Sequence, residues 1–243
     1  MIDMESNGQF CTEPNFAWPF AMPCHLVATY CQVQFNAECF SSAEYARNSI
    51  VSPEHLRGAV NKRRAEFLAG RICARAALNA IGYPDAIPAV NFDRSPCWPA
   101  GVVGAITHDN YTAAAVVAHA KDCIGIGLDS ESVAAIAQAD DIVAEVLTPI
   151  EADMYWQLPQ STRAEYLTLA FSLKESLFKA LYPVVGRYFD FQSARLCHWD
   201  TAQGCAQIEL CTTLSQQWCA GSRFSGLFAR SGERLTTMLA VRR

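Results

Sequence analysis

Two long segments of this chain repeat apolar residues at every fourth position, and that spacing dictates two amphipathic helices. In the first, Lys62 to Ala80, the stripe is Leu68, Ile72 and Ala76, and Gly82 and Pro84 mark the end. In the second, Arg163 to Tyr182, the stripe is Leu173, Leu177 and Leu181, and Pro183 follows. Each helix buries only one face, so each needs a second layer. Short runs rich in Val, Ile and Ala supply it after the first helix: Val102–Thr107, Ala113–Ala118 and Ile124–Leu128. Tyr188–Cys197, Ala206–Cys211, Phe224–Ala229 and Leu235–Val241 do so after the second. A further strand is expected over His25–Phe35, and a short helix from Ser52-Pro53-Glu54 on capping-type residues. Helical stretches are expected over Val133–Leu147 and from Thr148-Pro149. The class is α+β, with one long helix and several strands in each half and no clear residue-level repeat between them.

Composition removes several functions. Of the 243 residues 51% are hydrophobic and 18% charged, too apolar for disorder. The 24 acidic and 19 basic side chains give a net charge of -5, which argues against wholesale nucleic-acid binding. A local arginine cluster could still hold a small phosphorylated ligand. Met1 to Phe10 carries Asp3 and Glu5 and no basic residue, unlike a secretory leader. Nothing approaches the ~20 uninterrupted apolar residues of a membrane span. The 11 cysteines include no C-x-x-C pair and read as reduced thiols, so a cytoplasmic protein is expected.

Four local patterns could carry chemistry. In Gly125-Ile126-Gly127-Leu128-Asp129-Ser130-Glu131, two carboxylates two residues apart at a strand end share a face. They could hold one hard cation such as Mg²⁺, or simply cap the following helix. The glycines allow close approach of a backbone or a ligand. In Ser172-Leu173-Lys174-Glu175-Ser176-Leu177-Phe178-Lys179, Glu175 and Lys179 are helix neighbours. They form either a surface ion pair or a third carboxylate with cations for phosphate charge. Arg94 precedes the strand that ends at Thr107-His108, and those two offer hydrogen-bonding side chains. On the first helix, Arg64, Arg71 and Arg75 fall within ~40° of one another and Arg63 lies ~80° aside, either a solvated face or an anion grip. Gly70 inside that helix points to close packing or ligand approach. No zinc-protease, serine-hydrolase or phosphate-loop motif occurs.

Taken in order, K-R-R-A-E-F-L-A-G-R-x-C-A-R, R-S-P-x-W-P, G-A-I-T-H, G-I-G-L-D-S-E and F-S-L-K-E-S-L-F-K resemble the 4'-phosphopantetheinyl transferases. The likeness is to the enterobactin-synthase-associated branch of the surfactin-type class and runs from about Lys62 to Tyr182. It implies two similar α+β halves with pseudo-twofold symmetry, residues 1–119 and 120–243, with coenzyme A bound between them. The first half would take the nucleotide end on its Arg-rich helix, and the second would carry the metal site and catalytic helix. The implied reaction moves phosphopantetheine from coenzyme A to a serine of an apo acyl- or peptidyl-carrier protein, releasing adenosine 3',5'-bisphosphate. Asp129, Glu131 and Glu175 would hold Mg²⁺, and Glu175 would also be the base. Lys179 and Lys174 would neutralise pyrophosphate charge, Thr107 and His108 would contact phosphates, and Arg63, Arg71 and Arg94 would grip the nucleotide end. Glu175, Lys179 and His108 form the implied catalytic group. The sequence departs from relatives at Thr107 (often Ser), at Ser130 (often apolar) and at Arg94-Ser95-Pro96, where some have Gly-Lys-Pro.

This chemistry is self-consistent. Phosphoryl transfer is mostly positioning and charge neutralisation, so it needs a metal and cations. A serine hydroxyl is a weak nucleophile until a base removes its proton. The competing possibilities are an inactive coenzyme A- or carrier-binding module of the same fold, and an unrelated metal-dependent hydrolase or nuclease. A monomer is expected, with basic residues docking the acidic carrier.

Overall fold

The computed structural model describes residues 8–21, 26–133 and 142–242. They divide into two compact units, one mainly of Ala28–Val102 with Ile106–Val117 and the other mainly of Ala118–Arg243.

In the first unit the chain forms β1 (Thr29–Gln34), α1 (Ala43–Arg47), α2 (Asn61–Ala80), β2 (Ala89–Val90), β3 (Pro96–Cys97), β4 (Val102–His108) and β5 (Thr112–His119). The sheet order is β1-β5-β4, and β1 runs antiparallel to β5 from Thr29 opposite Val117 to Gln34 opposite Thr112. Strand alternation sends Cys31, Val33 and Phe35 to one face, beside Ala113, Ala115 and Val117. Helix α2 covers that face with Leu68, Ile72 and Leu78 and with the small Ala65, Ala69, Cys73 and Ala77. The small residues let the helix settle close to an alanine-rich strand. Gly70 belongs to this packing: a Cβ there would meet Ile106 Cγ2 at 2.8 Å.

The second unit contains β6 (Gly125–Ser132), α3 (Pro149–Gln157), α4 (Gln160–Val185), β7 (Ala194–Asp200), β8 (Cys205–Leu210), β9 (Arg223–Ser231) and β10 (Arg234–Val241). The sheet is antiparallel with order β6-β10-β9-β8-β7. Leu173, Leu177 and Leu181 of α4 are fully buried with Ile208, Leu235 and Leu239, as the fourfold stripe requires. Thr148 starts α3 with a reciprocal capping box to Glu151.

The expected class is therefore observed, with three local corrections. Helix α4 does not stop at Pro183; it runs to Val185 and ends at Gly186, whose φ of 69° suits a left-handed cap. Proline is tolerated there because the helix ends within three residues. Strand β6 extends to Ser132, so the acidic triplet lies inside the strand and not in a turn after it. The run expected from Tyr188 becomes a strand only at Ala194, after a 3₁₀ turn at Phe191–Ser193. In the expected Val133–Leu147 helix, residues 142–146 are helical and residues 134–141 lie outside the described residues, as does His25 of the His25–Phe35 run.

Helix α4 lies unusually close to β6, and the two glycines are the cause. A Cβ on Gly125 would sit 2.1 Å from Ala180 O, and one on Gly127 would sit 1.7 Å from Ser176 O. The close approach is by backbone, and it brings the acidic strand against the Lys-Glu helix. Gly127→Ala is expected to cost at least the ~1–3 kcal/mol of an overpacked core, read as a lower urea midpoint. Gly58→Ala, where a Cβ meets nothing within 4 Å, should leave the midpoint unchanged.

Candidate active site

Alternation along β6 places Gly125, Gly127, Asp129 and Glu131 on the face that meets α4. Asp129 is buried, and Glu131 is half-buried one step further along. Ser130 points the other way and its Oγ lies 3.2 Å from Thr236 Oγ1, which settles its orientation away from the acidic face. From the helix, Lys179 Nζ donates to Asp129 Oδ1 at 2.6 Å and to Leu128 O at 3.2 Å. The simple helix-surface pair of Glu175 with Lys179 is therefore not formed. Glu175 makes no hydrogen bond or ion pair among the described residues. Burial raises its carboxyl above the ordinary value; Lys179 opposes this and Asp129 adds to it. A carboxylate with this environment is a stronger base than an exposed one.

Lys174 requires a correction. It is not available to a phosphate, because its ammonium is buried and donates to Val146 O and Glu151 Oε2, both at 2.7 Å. Burial lowers its pKa, and the Glu151 carboxylate opposes that. Being adjacent to Glu175 in sequence turns it about 100° around the helix, into the interior.

The basic residues of the first unit meet around a separate cavity of about 340 Å³. Arg63, Arg71, Arg94 and His108 line it together with Glu66 and Phe67. Arg63 Nη1 lies 3.0 Å from His108 Nε2 and 3.4 Å from Glu66 Oε2. Arg71 is buried, stacks 4.6 Å from the Phe67 ring centre and donates to Ala89 O at 3.4 Å. Its Nε is buried with no hydrogen-bond partner, and burial lowers its pKa to about 10. It stays charged at neutral pH. A buried cation with an unused donor, among three other basic side chains, is suited to an anion.

Arg94 reaches the rim from a turn in which Asn91 and Ser95 are hydrogen-bonded and Asp93 accepts from Ser95. Its φ of 69° lies in the left-handed region that favours glycine. Thr107, Arg64 and Arg75 do not join this cavity. Thr107 is buried and does not line the cavity, because alternation along β4 gives that side to Ile106 and His108. The expected grouping of Arg64 and Arg75 with Arg71 also breaks up. Arg64 donates to Ser42 Oγ at 2.9 Å, and Arg75 donates to Asn48 O.

Glu66 was not a sequence candidate, although its i,i+3 spacing from Arg63 was visible. Neither were Glu151 and Thr237, whose partners are distant in sequence. Among the described residues no three His, Cys, Asp or Glu side chains converge as a closed ligand group. The oxygen donors at Asp129, Glu131 and Glu175 are nevertheless those a hard divalent cation takes. No described helix is long and apolar enough to cross a membrane.

An α+β chain with a carboxylate–lysine site on one unit and an arginine-lined anion cavity on the other has the parts of a phosphoryl-group transferase. Residues 52–118 match the 4'-phosphopantetheinyl transferase N-terminal domain, and residues 125–231 match the 4'-phosphopantetheinyl transferase superfamily. The 4'-phosphopantetheinyl transferase Svp of Streptomyces mobaraensis is 38% identical over 154 residues, 61% of each chain. Enterobactin synthase component D of Escherichia coli K12 is 38% identical over 144 residues, 58% of this chain and 67% of that one. The 4'-phosphopantetheinyl transferase Npt of Nocardia iowensis is 36% identical over 157 residues, 63% of this chain and 68% of that one. The matches thus span 61% to 68% of these three relatives' lengths. This chain belongs to the 4'-phosphopantetheinyl transferase family.

Proposed function

We propose that this protein transfers the 4'-phosphopantetheine group of coenzyme A to a serine of an apo acyl- or peptidyl-carrier protein, releasing adenosine 3',5'-bisphosphate. The observation that carries this is the docking of α4 on the glycines of β6, which gathers Asp129, Glu175 and Lys179 at one place. Residues 1–119 would hold the nucleotide end, and residues 120–243 would run the reaction. Arg63, Arg71, Arg94 and His108 would meet the phosphate charge of the nucleotide end in their cavity. Arg71→Met is expected to weaken coenzyme A binding about 10–100-fold while leaving the KM for carrier unchanged, measured by calorimetry and steady-state rates. An equal change in both would overturn this placement.

Asp129, Glu131 and Glu175 would hold Mg²⁺. Bound there, Mg²⁺ neutralises charge on the pyrophosphate oxygens. Lys179, already at Asp129, adds a further positive charge on the same side. Glu175 accepts the proton of the carrier serine at its carboxylate as the serine oxygen attacks the β-phosphorus, and the bond from that phosphorus to the bridging oxygen breaks. The nucleotide leaves with the bridging oxygen.

The protein would act as a monomer in the cytoplasm, and the free thiols of its cysteines among the described residues support the compartment. The carriers of siderophore synthesis are candidate substrates, by analogy with the enterobactin relatives. Intact mass spectrometry of an apo carrier incubated with the protein, coenzyme A and Mg²⁺ tests the proposal. A gain of one phosphopantetheine group, lost on chelation, supports it. An unmodified panel of acyl and peptidyl carriers with coenzyme A still bound would mean a binding module, and free phosphopantetheine would mean a hydrolase.

A further inference from the structure

Beside the Lys179 bonds to β6, helix α4 is tied to β10 through a cluster of buried hydroxyls. Thr237 of β10 sits directly opposite Asp129 of β6 in the antiparallel register. It is fully buried, as are Ser172 and Ser176 of α4. The Thr237 hydroxyl donates to Ser172 O at 2.9 Å. Ser172 Oγ at 2.9 Å and Ser176 Oγ at 2.8 Å lie within hydrogen-bond reach of the same oxygen. Ser176 Oγ is also 3.1 Å from Thr237 O. With the Thr237 proton on Ser172 O, Thr237 Oγ1 accepts from Ser172 Oγ, and the single Ser176 proton is shared between Thr237 Oγ1 and Thr237 O. Such a closed three-hydroxyl cluster allows little sliding of helix on strand.

The bonded turn is also the one that carries the chemistry. Ser172 precedes Glu175 by three residues, Ser176 follows it by one, and Ser176 precedes Lys179 by three. On the other side of the same turn, Gly127 holds Ser176 O at a distance that no Cβ would permit. The backbone contact sets how near α4 lies, while the hydroxyl cluster sets its position along the strand.

We propose that Thr237 is a positioning residue of the acidic site, its buried hydroxyl holding the Glu175–Lys179 turn in register with Asp129 and Glu131. The proposal rests on the transferase function above for its catalytic consequence, but its structural consequence is measurable without turnover. Thr237→Val keeps the shape and removes the hydroxyl, whereas Thr237→Ser keeps the hydroxyl.

The full chain is titrated with Mn²⁺, free ion being followed by electron paramagnetic resonance, and carrier modification is measured in parallel. Thr237→Val is expected to weaken Mn²⁺ binding about tenfold and lower kcat by a similar factor, as loss of a supporting hydrogen bond does at metal sites. The KM for coenzyme A should not move, and Thr237→Ser should stay within about twofold of the parent on every readout. If Thr237→Val does not fold, Ser176→Ala must weaken Mn²⁺ binding in the same direction. An unchanged Mn²⁺ affinity in these variants, or a Thr237→Ser as impaired as Thr237→Val, would overturn the proposal. A parent that modifies carriers while Thr237→Val matches it would sink the positioning role and leave the transferase function standing. A parent that modifies no carrier, with Mn²⁺ binding still dependent on the Thr237 hydroxyl, would do the reverse.

Discussion

Glu175→Gln is expected to lower kcat for carrier modification by about 10²–10⁴-fold, the range for a lost general base, and to leave the protein no less stable. The two effects are separable because Glu175 makes no hydrogen bond or ion pair among the described residues, and its raised pKa comes first from burial. A carboxylate in that position is disfavoured in its charged form, so a neutral amide of the same shape removes a cost instead of a support. Loss of activity with an unchanged or raised urea midpoint is the signature of a group retained for chemistry. The measurement is single-turnover mass conversion of an apo carrier at saturating coenzyme A, beside urea melts of both proteins. A fall in kcat of less than about tenfold would remove Glu175 from the role of base. A fall accompanied by a lower midpoint would point to a supporting role instead. Asp129→Asn should differ on this test, because it breaks the 2.6 Å bond to Lys179 and so affects folding as well as rate.

How much of this was legible in the sequence depends on the length of the signal. Helices α2 and α4 were located to within three residues at each end, because their stripes recur over several turns. The longer strands were visible as apolar runs, although the bounds of β6 and β7 differ. Strands β2 and β3 have two residues each and helix α1 has five, too short for any period to show. At the site, spacing placed Asp129 and Glu131 on one face correctly, since alternation is a local property of a strand. It could not say that the glycines two and four residues earlier serve the approach of α4, which depends on an element some 50 residues away. Side chains that choose between a ligand and a protein partner were the least legible. Lys174 was expected at the phosphates, yet its partner Glu151 lies 23 residues earlier and carries no local mark. Arg63 and Arg71 reach the cavity while Arg64 and Arg75 do not, because Ser42 and Asn48, on a segment packed along α2, take the latter two. Helical angle groups residues; only the packing neighbours decide which of them remain available.

The Lys174 correction leads to the largest expected effect on stability. Glu151 is 1% exposed and its carboxylate joins three elements of the second unit, α3, α4 and β7. Oε2 accepts from the Thr148 backbone N–H, the Thr148 hydroxyl and Lys174 Nζ, each at 2.7 to 2.8 Å. Oε1 accepts from Leu196 N at 2.7 Å, which connects the start of α3 to β7. Glu151→Ala would leave the buried Lys174 ammonium with Val146 O alone and would strip two buried N–H groups of their acceptor. Breaking a buried pair from one side costs about 3–5 kcal/mol, because the remaining charge stays desolvated. That is a large share of the ~5–15 kcal/mol that holds a typical protein folded. Replacing both members, Glu151→Met with Lys174→Met, should lose clearly less than Glu151→Ala, since no charge is left stranded in the core. Urea melts of the single and double variants measure this directly. If Lys174→Met alone were harmless to folding but removed coenzyme A binding, the ammonium would be a ligand contact after all, and its burial against Glu151 would belong to the ligand-free protein only.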